Sequence, residues 1–231
     1  MIRNIFFPAK CPVCDKPVAP YGEMICRKCE GVFKYIEEPY CKKCGKTLKD
    51  NCIEYCYDCV NKKHYFDCGL SLYDYSTVQE ALFRFKYNER PEYAEYFGKE
   101  MARRYRDEIC RFDAEVMIPV PLHKKKERKR GYNQSECIAR VIGNELNIPV
   151  DTSLIRRITD TLPQKSLDDI ERQNNLKKAF IIAQNDVKLS KVIIVDDVYT
   201  TGSTMDAIAR LLRSIGVKEI YFLTLASGSG I

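Results

Sequence analysis

The sequence predicts an α/β fold in which a doubly wound parallel sheet follows a small, cysteine-rich N-terminal module. Nine of the twelve cysteines lie in the first 60 residues, and eight of these nine form pairs with two residues between the partners. From residue 116 onward, short apolar segments alternate with amphipathic helical ones, which is typical of strand–helix–strand units. Near the C-terminus, Val192–Thr204 joins a β-branched run to two carboxylates, a hydroxyl-rich loop and a helix start.

The cysteines of the N-terminal module form two copies of C-x2-C-x11-C-x2-C, and the second copy begins 30 positions after the first. Two C-x2-C turns can bring four thiolates to one ion, so the spacing predicts two metal sites, with zinc favoured over iron. Disulfides are the alternative, but the first ten residues lack the apolar stretch of an export signal. We favour sequential pairing, in which each copy holds one ion, and a crossed pairing of the copies is the alternative. Taken in chain order, the ligands are Cys11, Cys14, Cys26 and Cys29, then Cys41, Cys44, Cys56 and Cys59.

A module of this size cannot fold on a hydrophobic core alone and is expected to depend on its ions. We place it over residues 1–62, with His64 in the linker, and the larger α/β domain over residues 63–231. No run approaches the roughly 18 apolar residues of a membrane span, so we expect a cytoplasmic protein without membrane insertion. The formal charge is +6. It falls to about +2 with two four-thiolate zinc sites, so overall charge says little about nucleic-acid binding.

The elements of the α/β domain follow from apolar periodicity and from turn residues. Strand segments are short, apolar and β-branched, whereas helical segments carry apolar or aromatic residues on one face. Pro91 suits the first turn of a helix. The predicted strands cover residues 66–75, 116–122, 154–158, 179–182, 192–195 and 220–225, and the predicted helices cover 77–87, 91–109, 132–146 and 203–214. Ligands of such a sheet bind at the carboxyl ends of its strands.

The segment Val192–Thr204 has the chemistry of a site for a phosphorylated sugar. Its apolar run predicts a strand that is buried on both faces. The loop that follows offers hydroxyls and backbone N–H groups beside a helix N-terminus, which suits a phosphate. Asp196 and Asp197 can accept hydrogen bonds from vicinal hydroxyls of the attached sugar. The simpler alternative is an ordinary strand–turn–helix with Ser203 as the helix N-cap.

This segment resembles the signature of type I phosphoribosyltransferases, which bind phosphoribosyl pyrophosphate (PRPP). The resemblance implies that Asp196 and Asp197 contact the ribose hydroxyls and that the following loop holds the 5′-phosphate. It also implies Mg²⁺ bound together with PRPP. The loop residues that take the phosphate role are Thr200, Thr201, Gly202, Ser203 and Thr204.

Two other polar segments follow predicted strands. Residues 123–134 carry six cations among their first eight positions. We interpret them either as a solvated, mobile loop or, by the resemblance, as a pyrophosphate loop acting through Arg130 and Gly131. The long excursion between the strand-like segments 154–158 and 179–182 is either a surface insertion or a lid over the site.

The order of motifs along the whole chain is similar to that of the competence protein F family. Four C-x2-C pairs are followed by P-V-P-L with a basic segment ending in R-G-Y-N-Q. Next come R-x4-T-x2-Q-x2-L, R-x2-N before A-F, and V-D-D-V-Y-T-T-G-S-T. Gln164 of the R-x4-T-x2-Q-x2-L motif and Arg172 of the R-x2-N motif are candidate PRPP contacts in the possible lid. Tyr132 stands where the family usually has Phe.

The family resemblance implies a phosphoribosyltransferase fold behind a zinc ribbon and an association with the uptake of transforming DNA. The corresponding enzyme transfers phosphoribosyl from PRPP to an acceptor nitrogen, with Asp196, Asp197 and Arg130 at the reacting centre. Residue 231 closely follows the last predicted strand. We therefore expect any cover over the acceptor to come from the N-terminal module or from a partner.

The alternative is a non-catalytic, PRPP-sensing accessory protein of the DNA-uptake machinery. Its partners would be single-stranded DNA and DNA-uptake proteins, with the cations of residues 123–134 along the phosphates. Aromatic side chains of the metal module would stack on the bases. The candidates for that role are Tyr40, Tyr55 and Tyr57.

Overall fold

The computed structural model describes residues 9–20, 22–159, 179–183 and 188–228. Its strands are β1 (Cys68–Asp74), β2 (Val116–Pro119), β3 (Ile155–Arg157), β4 (Phe180–Ile182), β5 (Lys191–Tyr199) and β6 (Glu219–Ser227). Four of these strands form an all-parallel sheet in the order β1-β6-β5-β2. The other two, β3 and β4, pair antiparallel in a separate ladder.

The first α-helix in the described ranges belongs to the cysteine-rich module, and the others belong to the α/β domain. The helices are α1 (Tyr57–Asn61), α2 (Tyr75–Tyr87), α3 (Tyr93–Arg104), α4 (Arg106–Arg111), α5 (Lys124–Arg130), α6 (Gln134–Leu146) and α7 (Ser203–Ser214). Carboxylate or amide side chains cap α2 and α6: the Asp74 carboxylate accepts from the Ser76 N–H at 2.8 Å, and the Asn133 side chain accepts from the Ser135 N–H at 3.1 Å. None of the described helices combines the length and the apolar character that a membrane span needs.

The side chains of β5 alternate between two apolar layers, as a sheet covered on both faces requires. Ile193 and Val195 pack with buried residues of α2, α3 and α6. Val192 and Ile194 pack on the opposite face with α7 and the β3–β4 ladder. The doubly wound parallel fold that the sequence predicts is therefore confirmed.

The two halves of the cysteine-rich module contact different parts of the α/β domain. We call the segment 11–29 the first ribbon and the segment 41–59 the second ribbon. In the first ribbon, the Asp15 carboxylate accepts from Arg90 Nε and from Tyr93 Oη, each at 2.7 Å. The hydrogen bond from Arg90 lowers the pKa of Asp15 to about 2. Cysteines of the second ribbon instead belong to the apolar layer formed by β5 and α7.

The chain between the ribbons covers the outer edge of β1. The Ile36 N–H donates to the Leu72 carbonyl at 3.0 Å, and the Asp74 N–H donates to the Lys34 carbonyl at 2.9 Å. These bonds satisfy backbone groups that a free edge strand would expose. The metal module thus closes one edge of the sheet.

The prediction of one continuous helix over residues 91–109 is wrong. Helix α3 ends at Arg104 and α4 begins at Arg106, with Tyr105 between them outside helical geometry (φ −116°, ψ 28°). The Tyr105 side chain is buried, and its hydroxyl donates to the Ser71 carbonyl at 2.9 Å. Burying this ring against β1 interrupts the helix.

The expectation that residues 154–158 and 179–182 join the parallel sheet is also wrong, because these segments pair with each other. The basic segment after β2 is not a loop throughout, since it contains α5. The His123 side chain accepts from the Lys125 N–H at 3.3 Å at the start of this helix, and Gly131 ends it with φ +84°. Lys and Arg are good helix formers, and cations are favoured in a last turn.

Gly69 of β1 lies directly against the ring of Phe222 in β6. A Cβ at this position would approach the Phe222 ring to 2.2 Å. Phe222 is fully buried and stacks on Tyr199 with ring centroids 4.9 Å apart, so it has no room to move away.

We therefore expect Gly69→Ala to lower the free energy of unfolding by about 1–3 kcal/mol, the cost of an overpacked core. Chemical denaturation followed by circular dichroism measures this change. Gly228→Ala is the matched control, because a Cβ at Gly228 meets nothing within 4 Å. Equal stabilities of the two variants would contradict the packing argument.

Candidate functional site

Eight of the nine cysteines of the module form two compact tetrads, and each tetrad comes from one ribbon. In each, the sulfur atoms all lie within 4.8 Å of one another. The Sγ–Sγ distance is 4.0 Å for Cys14 and Cys26 and 3.7 Å for Cys44 and Cys56. Tetrahedral zinc with Zn–S bonds of about 2.3 Å places its sulfurs about 3.8 Å apart. The tetrads fit structural zinc, and the sequential pairing is the one observed.

The turns that shape the tetrads are alike in the two ribbons. The residue four positions after the first cysteine is left-handed in both, Asp15 with φ 55° and Gly45 with φ 71°. Glycine is needed in the second ribbon, because a Cβ at Gly45 would lie 2.9 Å from the Gly69 carbonyl oxygen.

A second cluster forms at the carboxyl end of β5, where Asp196 and Asp197 lie. Asp196 Oδ1 accepts from Ser135 Oγ at 2.8 Å and from the Asp197 N–H at 2.9 Å. Asp197 Oδ1 forms an ion pair with Lys86 Nζ at 2.9 Å. The end of α2, the start of α6 and the end of β5 therefore meet at the carboxylate pair.

The carboxylate pair and Lys86 perturb one another's protonation. Burial, together with the charge of Asp197, raises the pKa of Asp196 to about 7. Burial alone would lower the pKa of the Lys86 ammonium, but the charge of Asp197 and its hydrogen bond outweigh it, so the pKa is raised. Near neutral pH, Asp196 can therefore exchange a proton while Lys86 remains charged.

The loop after β5 leads directly into α7. Gly202 is the N-cap residue, with φ +77°, and its position makes no side-chain cap to the helix. Ser203 is therefore the first helical residue rather than the N-cap. The hydroxyls of Thr201 and Ser203 lie 2.8 Å apart, and both residues are partly exposed at the helix N-terminus. Uncapped N–H groups and hydroxyls at a helix start form a site suited to an anion.

The predicted PRPP-site residues that do not come from β5 or the loop after it are Arg130, Gly131, Gln164 and Arg172. The Arg130 guanidinium ends α5, donates to Gln134 Oε1 and lies 5.3 Å from the ring centroid of Tyr87. Gly131 forms the left-handed end of that helix. The connection from this segment to the carboxylates is made by Ser135. Gln164 and Arg172 lie outside the described residues.

Sequence reasoning missed three side chains of this region: Lys86, Ser135 and His64. Lys86 lies one residue after Phe85 and four after Leu82, both buried on α2. This spacing indicates a cation directed toward the domain interior. Ser135 offered no such signal. The linker assignment of His64 is incomplete, because its side chain is 1% exposed and its Nδ1 lies 2.8 Å from Asp206 Oδ2.

Comparison with known proteins agrees with both halves of the structure. The chain matches the family model of the double zinc ribbon domain over residues 2–60 and that of the phosphoribosyl transferase domain over residues 133–230. It is 30% identical to competence protein F of Haemophilus influenzae, over 96% of this chain and 98% of that protein. It is 27% identical to the DNA utilization protein YhgH of Escherichia coli K12, over 92% and 94% of the two chains. The identity to competence protein ComFC of Bacillus subtilis is 27%, over 84% and 80%.

The raised pKa of Asp196 gives a pH-dependent prediction for stability. A carboxyl whose pKa rises from about 3.9 in the unfolded chain binds more protons when folded, so it costs stability as the pH increases toward 7. Asn at position 196 keeps an oxygen acceptor for Ser135 and removes this cost. We expect Asp196→Asn to raise the free energy of unfolding by about 1–2 kcal/mol at pH 8 and by less at pH 5.

Denaturant titrations at the two pH values measure this difference. Asp107→Asn, which removes the same charge from an exposed position, is the control. A gain for Asp196→Asn that is equal at pH 5 and pH 8 would show that the carboxyl is not protonated in the folded protein.

Proposed function

The chain belongs to the competence protein F family, and we propose that it binds PRPP at the carboxyl end of β5 and transfers the phosphoribosyl group to an acceptor. One observation carries the proposal: the carboxylate pair at the end of β5 is joined by a single short loop to the uncapped, hydroxyl-rich start of α7. A phosphorylated ribose has the matching groups, an anion at one end and vicinal hydroxyls at the other.

In the proposed complex, the 5′-phosphate lies at Thr200–Thr204 and accepts hydrogen bonds from the loop hydroxyls and from the first N–H groups of α7. The ribose hydroxyls then reach Asp196 and Asp197. An ionised carboxylate accepts such hydrogen bonds strongly, and a protonated Asp196 can also donate one. Mg²⁺ fits this oxygen-rich edge and, when bound with PRPP, neutralises charge on the pyrophosphate.

In the proposed reaction, the acceptor nitrogen bonds to the anomeric carbon while the bond from that carbon to the pyrophosphate oxygen breaks. The electron pair leaves with pyrophosphate, and the ring passes through an oxocarbenium-like state. The carboxylates stabilise positive charge that develops on the ring. Lys86 and Arg130 are the proposed cations for the leaving group. Gln164 and Arg172 are proposed to act from a lid that excludes water, since hydrolysis competes with transfer.

Removing the charge of both carboxylates tests the binding step. We expect Asp196→Asn combined with Asp197→Asn to weaken PRPP binding by at least about 100-fold, because several charge-assisted hydrogen bonds are lost together. Isothermal titration calorimetry with PRPP and Mg²⁺ measures the affinity, and Asp107→Asn serves as the control. An unchanged affinity would exclude this pair from the site. A screen of nucleobases and amines for PRPP-dependent release of pyrophosphate then tests the transfer step.

A second candidate function, binding of single-stranded DNA, is supported by a surface beside α5. Phe83 and Tyr87 of α2 are 58% and 65% exposed, with ring centroids 5.0 Å apart. Arg130 joins them to the cations of α5 through its position over the Tyr87 ring. Cations along a backbone and aromatic rings under the bases are the usual means of single-strand binding. These aromatics adjoin the basic helix, so we propose them in place of the ribbon tyrosines.

For this second function, we expect Phe83→Ala with Tyr87→Ala to weaken binding of a single-stranded oligonucleotide by about tenfold or more, as lost base stacking predicts. Lys124→Ala with Lys125→Ala should reduce the salt dependence of the affinity by about 1.4 in log–log slope. Fluorescence anisotropy over a range of salt concentrations measures both effects. Tyr57→Ala, which removes a 71% exposed ring from the second ribbon, is the control. Indifference to both sets of changes would refute the proposal.

A further inference from the structure

The chain that leaves the second ribbon is tied directly to the first turn of α7. There, the Asp206 carboxylate accepts from the Tyr65 backbone N–H at 2.8 Å through Oδ1. Its other oxygen lies 2.8 Å from Nδ1 of His64. Both bonds join the segment after the metal module to the helix whose N-terminus follows the hydroxyl loop. Asp206 thus fixes α7 to this segment at the point where an anion would bind.

His64 also lies against the hydroxyl loop itself. A Cβ at Gly202 would be 3.2 Å from His64 Cε1 and 2.6 Å from Tyr199 Oη. The imidazole stacks on Phe66 with ring centroids 4.6 Å apart, and Phe66 meets the edge of Tyr199 at 6.3 Å. The loop therefore enters α7 through a space bounded by His64 on one side and Tyr199 on the other.

The polar atoms of the imidazole show which of its contacts matters. His64 Nε2 is buried and has no hydrogen-bond partner among the described residues. A buried polar atom without a partner costs free energy, so packing alone would be served better by an apolar ring. The bond of Nδ1 to Asp206 is the contact that an apolar ring cannot make. The contact that accounts for a histidine at position 64 is therefore its bond to Asp206 at the start of α7.

The second tetrad continues this connection, whereas the first does not. Lys46, which lies between the cysteine pairs of the second ribbon, is buried and pairs with Asp58 Oδ2 at 3.0 Å. Its Nζ also lies 5.6 Å from the ring centroid of Tyr199. Three cysteines of the second tetrad are buried in the same apolar layer as Phe66 and Tyr199. Cysteines of the first tetrad form a separate small cluster with neighbouring apolar residues of their own ribbon.

We propose that His64 is a positioning residue for the hydroxyl loop, and that the second metal tetrad, but not the first, sets the geometry of this loop through it. The inference rests on the proposed function in taking the ligand of the loop to be the 5′-phosphate of PRPP. It assigns different roles to two sites of the same sequence pattern. The first tetrad stabilises the ribbon near α3, and the second determines how well the loop binds an anion.

Two substitutions of His64 separate the hydrogen bond from the packing. His64→Phe keeps an aromatic ring over Phe66 but has no donor, whereas His64→Asn loses the ring but places an amide where Nδ1 lies. We expect His64→Phe to weaken binding of PRPP with Mg²⁺ by about tenfold and His64→Asn to stay within about threefold of the unmodified protein. Hydrogen exchange at residues 200–206 should increase in His64→Phe only. The reverse ranking would show that packing, not positioning, is the role of His64.

Replacing the third cysteine of each tetrad tests the role of the metal sites. Cys26→Ser and Cys56→Ser should each reduce the zinc content from about two ions to one per chain. Only Cys56→Ser is expected to increase hydrogen exchange at residues 200–206 and to weaken PRPP binding. Equal effects of the two variants on the loop would overturn the proposal.

A further variant and the ligand-free exchange measurement distinguish a failure of this proposal from a failure of the proposed function. Lys46→Met removes the ammonium beside Tyr199 without altering a cysteine, so it replaces Cys56→Ser if circular dichroism shows that this variant does not fold. The exchange measurement needs no ligand. If the unmodified protein does not bind PRPP, the proposed function fails, while the exchange of residues 200–206 still decides the role of His64.

Discussion

Two adjacent carboxylates lie at the end of a strand that is buried on both faces. Their buried charge has to be compensated by groups from other elements, and α2 and α6 supply these groups. Burying a charge is costly unless it is paired or hydrogen-bonded. Asp197 is paired with Lys86, and Asp196 receives the Ser135 hydroxyl and takes up a proton more readily than an ordinary carboxyl. The end of α2 and the start of α6 are therefore fixed by electrostatics as well as by apolar packing.

The metal module takes part in the same arrangement. A ribbon of this size has too little core to fold alone, and its ions supply the missing stability. It also contributes backbone hydrogen bonds to the edge of β1 and apolar surface to the layer beneath β5. The ribbons are thus a structural part of the sheet, because the chain between them pairs with β1 and the second ribbon packs beneath β5.

The parts of this structure that could be predicted are those in which the signal is local. Cysteine spacing predicts the two tetrads, and the apolar run ending in Asp196 and Asp197 predicts a buried strand with its site at the carboxyl end. The pairs of His64 with Asp206 and of Ser135 with Asp196 join residues 142 and 61 positions apart, and no local pattern encodes them. Helix α5 was missed because its cations indicate solvent exposure equally well in a loop or in a helix.

In the proposed PRPP complex, the ion pair of Lys86 and Asp197 would link recognition of the sugar to recognition of the leaving group. Ribose hydroxyls bound to Asp197 would compete with Lys86 for the same oxygens. Because hydroxyls are neutral, they would leave the Lys86 ammonium without its full counter-charge. An ammonium that loses part of its interaction with Asp197 needs another anion nearby. Pyrophosphate attached to the same ribose would supply it. In this proposal, correct placement of the sugar would direct the Lys86 ammonium to the leaving pyrophosphate, and a ligand without pyrophosphate would gain nothing from this exchange.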